Sequence, residues 1–182
     1  MPDLTLTTDR LLLRPFHGDD FAAVHAYACD PEVCRYMTWG PNDEAGTRGF
    51  LQAVIANAQA EPRTYYDWAV TLRDGGRLLG ACGLYRRGEA QQGSLGYCYH
   101  RDSWGHGYAT EAAAAMVGFG FRELGLHRIE ACHFGPNLAS GRVMQKLGMQ
   151  LEGNLREAFQ KDGVWYDLAH YAILDREWPG QS

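Results

Sequence analysis

The chain has 182 residues, 46% of them apolar and 21% charged, with a formal net charge of −5. That length suits one domain, spanning residues 1–182, with a sizeable core. The acidic balance argues against a general nucleic-acid binder, which would carry a basic surplus, but leaves room for a local site that grips a small anion.

The opening residues, MPDLTLTTDR, have neither the basic start nor the apolar run of a secretory leader. The longest apolar tract, at residues 112–117, is too short to span a bilayer. A cytoplasmic protein with no membrane partner is expected. Five cysteines without CxxC spacing read as buried thiols of a reducing compartment. Seven histidines without HExxH or HxxxH spacing predict no metal.

In chain order, LTLTTDRLLLRPF alternates and then runs apolar, which predicts a first strand. HGDDFAAVHAYACD follows an Asp pair with helical spacing of Phe21, Val24 and Tyr27, so a helix capped by that pair is expected. AGTRGFLQAVIANAQAE places Phe50, Leu51, Val54 and Ile55 on one helical stripe. TYYDWAVTLR and RLLGACGLYRR are strands joined by a DGG turn, and GSLGYCYH is a third short strand. A helix over about 109–124 stops at Gly125. HRIEACHF is a strand, and GPNLASGRVMQKLGM is a helix with Asn137 as N-cap and Gly148 as stop. Two last strands flank a KDG turn. Antiparallel strands come first and a crossover later, which predicts an α+β fold with a mixed, mostly antiparallel sheet.

WGHGYATEA, at residues 104–112, is the stretch that carries chemistry. A dinucleotide fingerprint would need glycine where Thr110 stands, and would sit near the start of a doubly wound fold. A P-loop would need a following Lys-Ser/Thr. Two readings remain at this point. Gly105 and Gly107 either make a tight strand-to-helix turn, or let backbone N–H groups at a helix N-terminus approach an anion such as a pyrophosphate.

YCYHRDSWGHGYATEA resembles motif A of the GNAT N-acetyltransferases, whose pattern is Q/R-x-x-G-x-G/A. The match runs from Trp104 to Ala109, with Trp104 where Gln or Arg is usual. WGxGYATEA, TDRLLLRPF, NLASGRVMQKLGM and GNLREAFQKDGVWYDLAHYAILDREW are similar to the branch that includes the ribosomal-protein N-terminal (Rim-type) acetyltransferases. The resemblance covers nearly the whole chain. It implies a GNAT fold, splayed at the site of the acetyl-CoA co-substrate, with no metal.

By that resemblance, the backbone of Tyr97, Cys98 and Tyr99 pairs with the pantetheine arm, and one of its N–H groups polarises the thioester. Gly105, His106, Gly107, Tyr108, Ala109 and Thr110 hold the pyrophosphate, and Asn137 and Ser140 contact the coenzyme. Many such enzymes have a Tyr acid at the position of Met144, so Ser140 is the expected proton donor to the thiolate. Ser94 stands where the branch often has a Glu base. Glu157 is the expected base, with Glu130, Asp167, His100 and water as alternatives. A covalent acetyl-Cys98 route is a competing possibility. Tyr36 and Trp39, near Asp43 and Glu44, are expected to line the acceptor cleft. The implied acceptor is a primary amine, first a ribosomal or other protein N-terminus. Small amines, a non-catalytic acyl-CoA-binding domain and a NAD-binding oxidoreductase are the other readings, and a monomer or homodimer is expected.

Overall fold

The computed structural model describes residues 4–87 and 91–179. The rest of the expected domain, residues 1–3, 88–90 and 180–182, lies outside the described residues. The elements are β1 (Leu6–Thr7), β2 (Leu11–Arg14), α1 (Phe21–Ala28), α2 (Pro31–Cys34), α3 (Glu44–Ala58), β3 (Tyr65–Leu72), β4 (Leu78–Arg87) and β5 (Gln92–Tyr99). They continue with α4 (Tyr108–Arg122), β6 (Arg128–Phe134), α5 (Leu138–Lys146), β7 (Gln150–Lys161) and β8 (Val164–Leu174). The strands form one open sheet in the order β1-β2-β3-β4-β5-β6-β8-β7. Every pairing is antiparallel except β5 with β6.

The expected first strand is in fact two. Thr8 interrupts it, its hydroxyl accepting the Leu11 N–H at 3.0 Å, and β1 folds back on β2. A threonine turn of this kind carries no Gly or Pro, so the sequence pattern ran straight through it. The Asp pair before α1 also acts differently from the expected cap. No side chain caps α1 itself. Asp20 accepts the His17 N–H at 2.8 Å and takes a bidentate pair of bonds from Arg14 at 2.8 Å each. Of the cysteines, Cys34, Cys82 and Cys98 are buried, but Cys29 and Cys132 are exposed, against the expectation that all five are core thiols.

The two faces of the sheet carry two cores. Tyr66, Trp68 and Val70 of β3 point to one face and meet Ala113, Met116 and Phe119 of α4. The Trp68 and Phe119 rings meet at 5.0 Å and 63°, an edge-on contact. Truncating either ring is expected to cost about 3–5 kcal/mol. Small residues let α4 lie close to the sheet. A Cβ on Gly120 would stand 2.7 Å from Leu84 and 2.8 Å from Ile129. On the other face, Val24 and Tyr27 of α1 and Leu51 and Val54 of α3 cover Ala69 and Cys98. Among the described residues no helix is long and apolar enough to cross a membrane.

The parallel pair at the centre is short. β5 and β6 are in register only at Gln92/Arg128, Gly93/Ile129 and Ser94/Glu130. Beyond Ser94, β5 stays with β4 as far as Tyr99, while β6 stays with β8 as far as Phe134. The sheet therefore splays into a cleft in its middle, and Leu95–Tyr99 form one wall with a strand partner on one side only among the described residues.

Candidate active site

The cleft ends at the WGHGYATEA loop. Gly105 and Gly107 have φ of 79° and 80°, the left-handed region that a side chain strains. Gly107 is the N-cap of α4, and no side chain caps that helix. The first helical N–H with an intrahelical partner is that of Glu111, bonded to Gly107 O at 3.1 Å. The N–H groups ahead of it sit at the positive end of the helix dipole, which makes the loop a fit cradle for a phosphate. Trp104, in place of the usual Gln or Arg, donates its indole N–H to Tyr99 O at 3.0 Å and so ties the loop to the end of β5. His106 Nδ1 lies 2.8 Å from Trp104 O, and its ring stacks on Tyr108 at 5.5 Å.

Two residues that sequence reasoning missed brace this loop from the N-terminal hairpin. Glu111 accepts from the Thr8 hydroxyl at 2.6 Å, from the Arg10 N–H at 2.9 Å and from Arg10 Nε at 2.7 Å. The Arg10 guanidinium also donates to His106 O at 3.0 Å and lies 4.7 Å from the Tyr108 ring centre. Burial would raise the Glu111 carboxyl, but the Thr8 and Arg10 hydrogen bonds and the Arg10 charge hold it below the usual range. A "TDR" about a hundred residues upstream gives no local signal for this brace.

Across the cleft stands the start of α5. Asn137 Oδ1 accepts the Ser140 N–H at 3.3 Å, the expected N-cap bond. Met144 is buried in the main core. A phenol nevertheless reaches Ser140 from another element. The Tyr97 hydroxyl lies 3.0 Å from Ser140 Oγ and donates to Ser140 O at 3.1 Å. Burial pushes the Tyr97 phenol well above its usual range, and the Ser140 bond pulls it partly back. Tyr97 was expected only as a backbone partner; its side-chain role required the fold. Burial likewise pushes the Cys98 thiol up to about 12, so thiolate is scarce at neutral pH and an acetyl-Cys98 route is disfavoured.

The acceptor candidates lie on the segment between α2 and α3. Tyr36 and Trp39 are half-buried there. Tyr36 meets Tyr166 of β8 edge-on at 6.4 Å, and Tyr166 stacks on Phe134, the last residue of β6, at 5.0 Å. Lys161, at the tip of the β7–β8 hairpin, fastens this segment. Its ammonium donates to Cys34 O at 2.7 Å, Met37 O at 2.8 Å and Trp39 O at 3.2 Å. Asp43 Oδ1 caps α3 by accepting the Gly46 N–H at 2.7 Å, and Glu44 pairs with Arg48 at 3.2 Å. An open groove of about 610 Å³ runs beside the start of α5, lined by Gly135, Pro136, Leu138, Trp165, Tyr166 and Asp167.

The base candidates are scattered. Glu157 is exposed at φ 49° in an irregular part of β7, and its N–H donates to Asp167 Oδ1 at 2.8 Å. Glu130 is paired with Arg87 at 2.7 Å. His100 accepts the Asp102 N–H at 3.2 Å at the turn that leads to the loop. Among the described residues no group of three His, Cys, Asp or Glu could hold a metal ion.

A splayed parallel pair that ends at an uncapped helix N-terminus is the arrangement the GNAT acetyltransferase domain builds, and the model of that domain matches residues 10–150. This chain belongs to the GNAT family. It is 36% identical over 174 residues to the uncharacterized N-acetyltransferase YnaD of Bacillus subtilis, covering 95% of this chain and 98% of that one. A GNAT-family acetyltransferase from Bacillus anthracis has the same fold, with a TM-score of 0.86 and 33% identity over 96% of this chain and all of that one. The [ribosomal protein uS5]-alanine N-acetyltransferase of Escherichia coli is 27% identical over 190 aligned positions, covering all of this chain and 96% of that one. The GNAT chain described here is therefore an acetyl-CoA-dependent N-acetyltransferase with an α+β fold.

Proposed function

We propose that the chain transfers the acetyl group of acetyl-CoA directly to the α-amine of a protein N-terminus. The observation that carries the direct-transfer part is the cleft itself. From Leu95 to Tyr99 its β5 wall offers, on the side away from β4, a backbone edge with no strand partner among the described residues, and that wall leads into the uncapped start of α4. In this reading the backbone of Tyr97, Cys98 and Tyr99 holds the pantetheine arm and polarises the thioester. The amides from Gly105 to Thr110 hold the pyrophosphate. Holding donor and acceptor together supplies much of the rate.

Ser140 and Tyr97 form the proton-donating pair on the thiolate side. Serine is too weak an acid to act as one alone, and a bonded phenol gives it a relay partner. Asn137 orients the turn that carries Ser140. Tyr36 and Trp39 line the acceptor side. Glu157, exposed and without a side-chain partner among the described residues, is proposed as the carboxylate that meets the acceptor's ammonium. The N-terminal acceptor is supported by the likeness to the uS5-alanine enzyme of E. coli.

The test is thiol release from acetyl-CoA against alanine-, serine- and methionine-initiated peptides, spermidine and free amino acids. Turnover confined to peptides supports the reading. Turnover confined to small amines overturns the acceptor and keeps the transfer. Ser140→Ala is expected to lower kcat about 100-fold, the lower end of the range for loss of one proton-transfer group.

A further inference from the structure

The face of the sheet that looks toward α1 and α3 carries a second ionisable cluster that the coenzyme side does not use. Asp67 of β3 and Tyr85 of β4 lie on this face, and the Tyr85 hydroxyl donates to Asp67 Oδ1 at 2.7 Å. They sit over two glycines that are partners in register, Gly83 and Gly96. A Cβ on Gly83 would stand 2.5 Å from Asp67 Oδ1 and 2.8 Å from the Tyr85 hydroxyl, so the missing side chain makes their room. A Cβ on Gly96 would stand 3.4 Å from the Tyr85 ring and 3.9 Å from its hydroxyl. Gly96 immediately precedes Tyr97 on the wall of the cleft. Tyr85 is also the register partner of Ser94, where the family's branch often has a glutamate.

A third group points to a ligand here. The Tyr27 hydroxyl of α1 is buried with no hydrogen-bond partner among the described residues. Burial raises its phenol, and Cys98, Asp20, Asp67 and Tyr85 raise it further; Tyr27 packs in the same cluster as Ala69 and Cys98, on the sheet face that carries Asp67. An orphaned buried hydroxyl costs about 1–3 kcal/mol, and a polar ligand or water relieves it.

We propose that Asp67 and Tyr85 form the proton-accepting pair for the acceptor amine, with the Tyr27 hydroxyl as a further polar contact. This inference rests on the direct-transfer reading above. The acceptor arrives as an ammonium. One N–H proton passes to Tyr85 Oη as the Tyr85 proton passes to Asp67 Oδ1, and Asp67 later yields it to solvent. The neutral nitrogen forms a bond to the thioester carbonyl carbon. The C–S bond breaks with its electron pair on sulfur. The nitrogen's second proton balances the one that the thiolate takes. Tyr85 is the catalytic residue in this scheme, and Asp67 is a positioning residue that acts through it.

The charged and titratable groups around Asp67 are Arg63 before β3, Cys82 and Tyr85 on β4, and Tyr27 on α1, with Tyr65 and Cys98 beyond them. Burial raises the Asp67 carboxyl, against the Tyr85 bond and Arg63, which lower it. Activity is therefore lost on the acid side as Asp67 gains its proton, and regained as pH rises.

The experiment measures kcat and KM from about pH 6 to about pH 9.5 for the native chain, Tyr85→Phe, Asp67→Asn and Glu157→Gln. An alanine-initiated peptide is the acceptor, its α-amine titrating near pH 8. Tyr85→Phe and Asp67→Asn are each expected to lower kcat about 100-fold near neutral pH, with the KM for acetyl-CoA unchanged. The deficit should shrink toward pH 9.5, where the amine arrives neutral. Tyr85→Phe keeps the ring, so its melting temperature checks the fold. A deficit constant across pH, or the pH-dependent deficit in Glu157→Gln instead, overturns the pair. If the native chain releases no thiol with any amine, the transfer reading falls and this inference with it. Native turnover with unaffected variants sinks this inference alone.

Discussion

In the proposed reading, the donor side of the β5–β6 cleft is chiefly backbone, with the Tyr97–Ser140 pair as its side-chain exception, and the acceptor side is made of side chains. On the donor side, left-handed glycines, free helix N–H groups and an unpaired strand edge offer the contacts. No charged side chain caps α4. On the acceptor side, the segment with Tyr36 and Trp39 is held by one ammonium on three carbonyls and walled by aromatic rings from β6 and β8. A backbone site suits a co-substrate whose phosphates and amides are always the same. A side-chain site can change its lining while the strands beneath it stay in place, as expected where acceptors differ within one fold.

Lys161→Met is the strongest way to test that division. It leaves three carbonyls without their charged donor; Cys34 O keeps the Met37 N–H at 3.0 Å, while Met37 O and Trp39 O each cost about 1–3 kcal/mol if left unpaired where water cannot reach. The KM for the acceptor is expected to rise at least tenfold while the KM for acetyl-CoA stays put, measured by steady-state kinetics. Equal shifts in both would break the comparison. Gly107→Ala is the converse. A side chain at φ 80° costs about 1–2 kcal/mol, which converts to roughly a tenfold loss if the strain is relieved by moving the loop. Calorimetric titration with CoA should show that loss, with the acceptor KM unmoved.

The same division explains what the sequence could tell. Glycines 105 and 107, the Asn137 cap and the DGG and KDG turns act within a few residues of themselves, so their chemistry is readable from local pattern. Both residues of the two-residue turn after Lys161 have positive φ, 49° at Asp162 and 78° at Gly163, as Asp-Gly predicts. Lys161 reaches back more than a hundred residues, and Asp67 meets Tyr85 only because β3 and β4 pair in one register. Nothing in YYDW or GLYRR marks those side chains as partners. The family positions that depart, Ser94, Trp104 and Met144, are likewise legible in the sequence, whereas the phenol that reaches Ser140 comes from β5 and is not.

Smaller effects sharpen the donor side. Glu111→Gln removes the charge that holds Arg10, a pair half open to water on the arginine side, and about 1 kcal/mol or less is expected after solvent screening. The Glu111 carboxyl is held low in the folded chain, so its contribution is full above its unfolded value near 4.5 and is lost as pH falls through the lower, folded value. Acid unfolding of Glu111→Gln should therefore lack part of the native chain's pH dependence below about pH 4.5. Trp104→Phe loses one indole hydrogen bond to Tyr99 O, worth about 0.5–1.5 kcal/mol, and should weaken CoA binding less than Gly107→Ala does.

The splay between β5 and β6 has a consequence for how the molecule breathes. Central strands of a sheet are ordinarily the slowest to trade their amide hydrogens with water, because both sides are bonded and opening them requires global unfolding. Past Ser94, β5 has a bonded neighbour on one side only among the described residues, so alternate amides between Leu95 and Tyr99 are expected to behave as if they lay on an outer rim. In exchange measured on the free chain, the middle of this sheet is expected to contain a fast-exchanging stripe flanked by slow ones, and CoA should silence it.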